Sequence, residues 1–402
     1  MKMPTQKTIM IFSTATSLGM SATAFAASNN TADIQQTIVT NNTVIGQNVV
    51  VDQKGDAQHA SVNQVGDGQT VRIKQNGTLS SATTFTRGQK NWISLYQGEE
   101  EHISNIFQQG DKNVDKSHQK GFNNRSDINT EGNNNYTIAR QADTFNQTNI
   151  HTIGQENTTL TEQIGLQNDL SINTYGDLND AHTLQIGDNN INIIDSQGVD
   201  NKVITSQEGD SNTFYTISNG NNNQIISAQI GGNNTQQTQM WGNENTQMLR
   251  QTGAENSLSL VTEGSNNQVN FYSDGQSNHI FTFTLGDNNQ TDVIQTGLHN
   301  STHLNVFGDD NTYKEMNQTG DINTIELLID GNENMATVTQ WGNNNNLTGI
   351  DSSSFDVSGH NSTLNLTQNG HDNIVMGEQI GEHHALFVAQ TGELNTAIVT
   401  QQ

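Results

Sequence analysis

Few residues of this 402-residue chain have the type and spacing that perform acid–base, metal or nucleophilic chemistry. Cysteine is absent, which removes thiolate catalysis, thiolate metal sites and disulfides together. His383-His384 is the one adjacent pair among 12 scattered histidines. Set in a polar stretch, it reads as a surface turn rather than a metal site. Glu99-Glu100-Glu101-His102 groups three carboxylates with an imidazole, but it falls where a turn recurs and reads as solvated turn rather than catalytic cluster. Asp188, Asp287, Asp309 and Asp310 lie in turns and lack the G-G-x-G-x-D pattern of calcium-binding repeats. Trp92, Trp241 and Trp341 are isolated turn aromatics, not a sugar- or dye-stacking row. Phosphate loops and nucleophile elbows are missing. The expectation is a chain that is not an enzyme and has no catalytic residue, cofactor or metal.

What recurs instead is hydrogen-bonding chemistry. From Gly55 a glycine returns every eleven residues to Gly308, and only Glu99 and Asp143 interrupt the twenty-four positions. Three residues after each site, Asn is present nineteen times in succession from Asn113 to Asn311. Two residues before it, Gln119, Gln141, Gln163, Gln185, Gln207, Gln229 and Gln251 alternate with Thr130, Thr152, Thr174, Ser196, Ser218, Met240 and Thr262. The full repeat is therefore about 22 residues, in two 11-residue halves.

Elements that hold these amides must have a period of two. Counted from the glycine, positions +3, +5, +7 and +9 share one strand face. Position +3 is Asn and +9 is Gln or Thr. Position +5 holds Val203, Phe214, Ile225, Leu258, Val269 and Ile280; +7 holds Ile150, Ile172, Ile194, Leu249, Leu260, Phe271, Val293 and Leu304. Ala139, Ala181 and Ser227 fill narrower places on that face, and the alternate positions are mostly polar, with exceptions such as Phe281 and Phe283. A turn such as Ile186-Gly187-Asp188-Asn189 closes each half, using residues that tolerate positive φ or bond their own backbone. The expected fold is all-β: a two-sheet parallel β-solenoid with one 22-residue rung per two strands and two turns. A buried unpaired amide costs about 1–3 kcal/mol. Stacked in register, each amide donates to one neighbour and accepts from the other, so the ladder supplies order that a thin apolar core cannot. The ladder residues are Gln119, Asn124, Gln141, Asn146, Gln163, Asn168, Gln185, Asn190, Gln207, Asn212, Gln229, Asn234, Gln251 and Asn256, with turn glycines Gly165, Gly187, Gly209, Gly231 and Gly253.

The units Gln163-Ile164-Gly165-Leu166-Gln167-Asn168, Gln185-Ile186-Gly187-Asp188-Asn189-Asn190 and Gln229-Ile230-Gly231-Gly232-Asn233-Asn234 carry a Q-x-G-x2-N core, with six residues from Asn to the next Gln site, as from Asn113 to Gln119. This resembles the curlin repeat of bacterial curli, S-x5-Q-x-G-x2-N-x-A-x3-Q, over most of the chain. The resemblance implies a functional amyloid: a subunit exported unfolded through an outer-membrane secretion channel and polymerised, with a nucleator subunit, into an extracellular cell-surface fibre (a fimbrium or pilus in the broad sense). It would serve adhesion and aggregation in a biofilm matrix. It also implies that the ladder Gln and Asn are assembly-critical. The chain departs from the family in having many more rungs than the usual five, in placing Thr or Ser at alternate Gln sites, and in matching the Ser and Ala positions loosely.

Composition fits that frame. Hydrophobic residues are 31% and aromatics 5%, too few for a conventional core. The single proline is Pro4, so a backbone ladder runs without a missing donor. Lys2, Lys7, an apolar or small stretch Thr8 to Ala26 and the small-x-small Ala24-Phe25-Ala26 predict a signal peptide over 1–26. Its removal leaves 13 cations against 41 anions, near −28, which argues against nucleic acid or anionic lipid as a main partner; no later stretch is apolar enough for membrane insertion. Residues 27–52 read as a targeting or capping segment in which Gln35, Gln47 and Val49-Val51 form a degenerate rung. The main array spans 53–346, with one extra residue before Gly320. A loop follows at 347–358, and further repeats occupy 359–402, where Gln401-Gln402 falls at a ladder position and leaves an edge open to another chain. The alternative to a fibre is a non-polymerising cell-surface solenoid adhesin that binds sugar or another surface. A flat threonine face for ice binding is not seen, and a polysaccharide-acting β-helix enzyme would need a carboxylate cluster and a broader core.

Overall fold

The computed structural model describes residues 8–14, 21–26, 29–37, 46–351 and 353–402, and in these every regular element is a β-strand. The chain forms two compact units, residues 1–200 and 201–402. Each is a two-sheet parallel β-solenoid in which a strand pairs with the strand two further along the chain, except around an inserted half-strand, which makes Met335–Asn343 pair with Thr363–His371, three further on. One sheet carries the Gln positions and the other the Thr positions; they are called here the Gln sheet and the Thr sheet.

The 22-residue spacing sets the register. In the first unit Tyr136–Thr144 lies beside Thr158–Leu166 with Gln141 opposite Gln163, and Thr158–Leu166 lies beside Asp180–Ile186 with Gln163 opposite Gln185. In the second unit Gln224–Gly232 and Thr246–Ala254 place Gln229 opposite Gln251 and Gly231 opposite Gly253. Burial alternates along the strands, as in the pattern of Thr158–Leu166, where Thr159, Thr161 and Gln163 point inward. The apolar residues named at +5 and +7 are all buried, from Ile150 and Ile172 in the first unit to Leu260, Phe271 and Val293 in the second. The core is narrow, and its two apolar rows lie between two polar ones.

The corners explain the glycine spacing. Gly165 has φ 118° and the residue two further on, Gln167, has φ 57°. The pair turns the chain sharply, yet the parallel ladder runs on through the corner: Gly187 N–H donates to Ile164 O at 3.0 Å and Asn189 N–H to Leu166 O at 2.8 Å. The stacking is close enough that a Cβ on Gly165 would lie 2.1 Å from Gly187 O. Glu99 and Asp143, which break the sequence series, hold the same corner at φ 81° and 70°. The second left-handed position accepts many residue types, including the β-branched Ile322 at φ 61°.

Segments outside the strict repeat also join the sheets. Thr8–Thr14 and Ser21–Ala26, within the stretch read as a signal peptide, pair in parallel with Thr31–Thr37 and Asn48–Asp56; Lys2 and Lys7 lie outside the described residues. Gln36, and not Gln35, takes the inward place, and its Nε2 donates to Gln64 Oε1 at 2.9 Å. The extra residue before Gly320 is a bulge in Thr312–Thr319, where Val293 pairs with Met316 and Glu315 has φ 68°. The stretch read as a loop at 347–358 supplies two half-strands, Asn346–Thr348 and Phe355–Ser358, both paired with Thr324–Asp330. Phe355 and Val357 are buried in the core, so the insertion is confined to the residues between the half-strands.

Gly231→Ala is expected to destabilise the second unit by about 2–4 kcal/mol, because the corner has positive φ and a Cβ would meet Gly253 O at 2.0 Å. Gly232→Ala, whose Cβ would rest 3.5 Å from Asp210 O, should be nearly neutral. Urea unfolding of the two variants checks this; equal losses would contradict the corner geometry.

Candidate functional site

The amide columns are the candidate site. In the first unit the Gln column is unbroken: Gln53, Gln75, Gln97, Gln119, Gln141, Gln163 and Gln185 are joined Nε2 to Oε1 at 2.8, 2.8, 3.0, 2.9, 3.0 and 2.9 Å. Every one of these side chains is buried. The second amide hydrogen is also used, since Gln163 Nε2 donates to Gln147 O at 2.9 Å and Asn168 O at 3.1 Å. The column thus ties rung to rung and sheet to sheet.

In the second unit Gln207, Gln229 and Gln251 are joined at 3.0 Å each. Ser273 then takes the Gln position. The column resumes through Gln295, Gln318, Gln340, Gln368 and Gln390 at 2.8, 2.9, 2.8 and 3.0 Å. Two of those links span 23 and 28 residues instead of 22, so the amide bond is kept through both the bulge and the insertion.

Asn does a different job from Gln. Asn168 Nδ2 donates to Gly187 O, the corner carbonyl of the next rung, at 2.7 Å, and to Asn146 Oδ1 at 3.1 Å. Its own Oδ1 accepts the backbone N–H of Asn190 at 3.0 Å. Asn146 and Asn124, one and two rungs earlier, likewise donate to the corner carbonyls of Gly165 and Asp143 and accept the backbone N–H of Asn168 and Asn146. In the second unit Asn212, Asn234 and Asn256 donate to Gly231, Gly253 and Gly275 carbonyls at 2.8, 2.9 and 3.0 Å. An Asn at +3 therefore holds the glycine corner above it, which is why Asn and Gly recur together. The plain amide-to-amide stack inferred from sequence describes the Gln column; the Asn column is chiefly side chain to backbone.

Other residues prove to belong to this scheme. Asp188 Oδ1 accepts Leu166 N–H at 2.9 Å, and Asp309 Oδ1 accepts Asp287 N–H at 2.8 Å, so these turn acids terminate backbone donors of the neighbouring rung. Glu99 and Glu100 are exposed, but His102 is wholly buried at an Asn position, which corrects its reading as part of a solvated turn. Its Nε2 lies 2.6 Å from Gly98 O and its Nδ1 accepts the Asn124 N–H at 3.2 Å. That pattern requires the neutral Nε2–H tautomer, in keeping with burial lowering its pKa. The +3 position counted from Glu99 was the sequence signal for it. His383 is exposed at φ 61°, and among the described residues no group of three His, Asp or Glu side chains forms a metal-ligand cluster.

The Thr sheet is less well satisfied. The hydroxyls of Thr86, Thr152, Thr174, Ser196, Ser218 and Thr284 are buried and hydrogen-bond to no protein group, because a hydroxyl is too short to reach the next rung. Where such a hydroxyl is paired, the partner comes from across the core, as with Gln247 Nε2 to Thr262 Oγ1 at 3.1 Å.

Asp115 is the other sequence surprise. It stands at +5 in Val114–Phe122, an apolar position in most rungs, between Ile93 and Thr137, and is wholly buried. Thr130 Oγ1 donates to one carboxyl oxygen at 3.0 Å and the other is unpartnered. Desolvation raises its pKa from 3.8 to about 7, against the opposing hydrogen bond of Thr130. No model of a protein family matches this chain, and no curated protein matches it.

The sign of the Asp115 linkage is fixed by the raised pKa. Below pH 3.8 the carboxyl is protonated folded or unfolded; between 3.8 and about 7 only the unfolded chain loses its proton, so stability falls and then levels off. A shift of that size corresponds to about 4 kcal/mol. Asp115→Asn should abolish most of this slope and raise the urea midpoint of the first unit at pH 8. A variant with an unchanged pH profile would contradict the assignment.

Proposed function

We propose that this chain is a self-assembling fibre subunit of curli type, exported through the periplasm and acting outside the cell as a structural and adhesive matrix component rather than as an enzyme. The observation that carries the reading is the Gln column. Its links stay at 2.8–3.0 Å in both units and keep that length when the intervening sequence grows from 22 to 28 residues. A rung is recognised by the donors and acceptors on its edge, not by its covalent distance from the next rung. A rung from a second copy offers the same groups, and open parallel edges template such pairing.

The rung made of Ala385–Glu393 and Thr396–Gln401 has the character such an addition requires. Leu386, Val388 and Ala397 are only partly buried there, and Phe387, Leu394 and Ile398 are 71, 76 and 67% exposed. A stacked copy would cover this surface and continue both ladders. The curlin-like motif supports the same reading, and it adds an outer-membrane channel and a nucleator subunit as partners in this proposal.

Fibre growth of the purified chain, followed with thioflavin fluorescence and fibre diffraction, tests it. Seeded growth with a reflection near 4.8 Å along the axis is the expected result. Gln163→Ala and Asn168→Ala should slow growth several-fold, and Glu162→Ala, on the outer face, should not. A folded chain that stays monomeric at every concentration would sink the proposal.

A further inference from the structure

The chain is strongly acidic overall, with 15 Lys and Arg against 41 Asp and Glu, yet six of the cations share one face. They are Lys54, Arg72, Lys74, Lys116, Lys120 and Arg140, all at outward positions of the Gln sheet in the first unit. Parallel register sets them in three adjacent columns, Arg72 with Lys116, Lys74 with Arg140 and Lys54 with Lys120, spread over the strands Asn48–Asp56, Thr70–Thr78, Val114–Phe122 and Tyr136–Thr144, with the cation-free strand Trp92–Glu100 between them. Strand spacing makes that face about 19 Å long. Lys54, Arg72, Lys74, Lys120 and Arg140 are exposed, and Lys116 is half-buried.

These cations lack anionic partners. Among the described residues the only contacts at ion-pair distance are Arg125–Asp127 and His182–Asp180, neither of which involves this face. Asp52 and Glu162 stand at the two ends of one column, in register with Lys74 and Arg140, without reaching them. Aromatic rings hold two of the cations, Lys74 and Lys116. Lys116 Nζ lies 4.9 Å from the Trp92 ring centre and 5.1 Å from that of Tyr136, and donates to Tyr136 Oη at 3.1 Å. Lys74 Nζ lies 5.7 Å from the Tyr96 ring, which meets the His118 ring at 4.5 Å. Burial, and then the charges of Arg140 and Lys120, lower the pKa of His118, so the imidazole is not a further fixed cation at neutral pH.

We propose that this face binds a linear acidic polysaccharide, its cations reading a row of carboxylates along the solenoid axis. The occupant follows from charge and from the rings. A face of cations without ion-pair partners, repeated along the axis at the strand spacing, complements an extended chain with a charge on each sugar, and Lys74 and Lys116, already held by aromatic rings, lose little freedom on binding. Single-stranded nucleic acid is disfavoured because its affinity needs free ring faces for base stacking, and here Trp92, Tyr96 and Tyr136 face Lys116, Lys74 and His118. The proposal stands whether or not the chain polymerises.

Binding of the full chain to immobilised alginate, with neutral dextran and oligo(dT) as comparison probes, tests it at about 50 and about 200 mM salt. Two double variants, Arg72→Gln with Arg140→Gln and Lys116→Gln with Lys120→Gln, should each weaken alginate binding roughly tenfold at the lower salt and flatten its salt dependence. Lys90→Gln with Lys112→Gln removes the same charge from exposed corners and should change binding by less than about twofold. Arg72 and Arg140 make no ring contact or hydrogen bond given above, so that pair keeps the test independent of folding. No alginate binding by the parent chain, equal losses in the face and corner variants, tighter binding of oligo(dT), or a change confined to self-association would each overturn it.

Discussion

The structure depends on one constraint: parallel stacking at a single strand spacing puts each residue directly above its equivalent 22 positions away. Everything polar on the inner face must then find its partner along the axis. Gln meets the requirement with its own kind, because its amide both donates and accepts and is long enough to span the gap. Asn, one methylene shorter, reaches the corner carbonyl of the next rung and accepts the backbone N–H of the next Asn. Glycine completes the arrangement, since a Cβ at the glycine corners would collide with the carbonyl stacked against it, and Glu99 and Asp143 hold the corner only at a smaller positive φ. The three recurrent residue types are parts of one hydrogen-bonded corner.

The two sheets answer the constraint unequally. On the Gln sheet the amides are linked along the axis, with an interruption at Ser273, and on the Thr sheet many hydroxyls have no protein partner. A solenoid of low apolar content can carry that difference because each rung of a unit is tied to its neighbours through the Gln side and the corners. Where the core itself becomes polar, as at Asp115, the result is a buried acid whose pKa is raised to about 7. A local lapse in hydrophobicity thereby becomes a pH response.

Much of this was legible in the sequence because the code is periodic. The eleven-residue glycine and Asn series, the alternation of Gln with Thr, and the inward rows at +5 and +7 defined the all-β solenoid and its register. What the sequence hid was geometry within the period. The positive φ at the second corner residue left no compositional trace, because Gln167, Ile322 and His383 all adopt it. His102 was obscured by the acidic run before it, although its offset from Glu99 marks it as an Asn substitute. Which residue of the degenerate rung points inward was not legible, because the segment before Gln47 lies out of register; pairing with His59–Asp67 shows that it is Gln36. The basic face was concealed by the net charge: a sum of −26 describes the whole chain and not the surface where six cations gather.

The claim on which the account rests is that the Gln side chains form a protected, continuous hydrogen-bonded column. Hydrogen exchange of the side-chain amide protons, followed by NMR on chain labelled at glutamine, addresses it directly. The account predicts that the Nε2 protons of Gln141 and Gln163 exchange as slowly as the backbone amides of the surrounding strands, whereas those of the exposed Gln237 exchange freely. Side-chain exchange at Gln141 and Gln163 as fast as at Gln237, with the strand amides still protected, would contradict it.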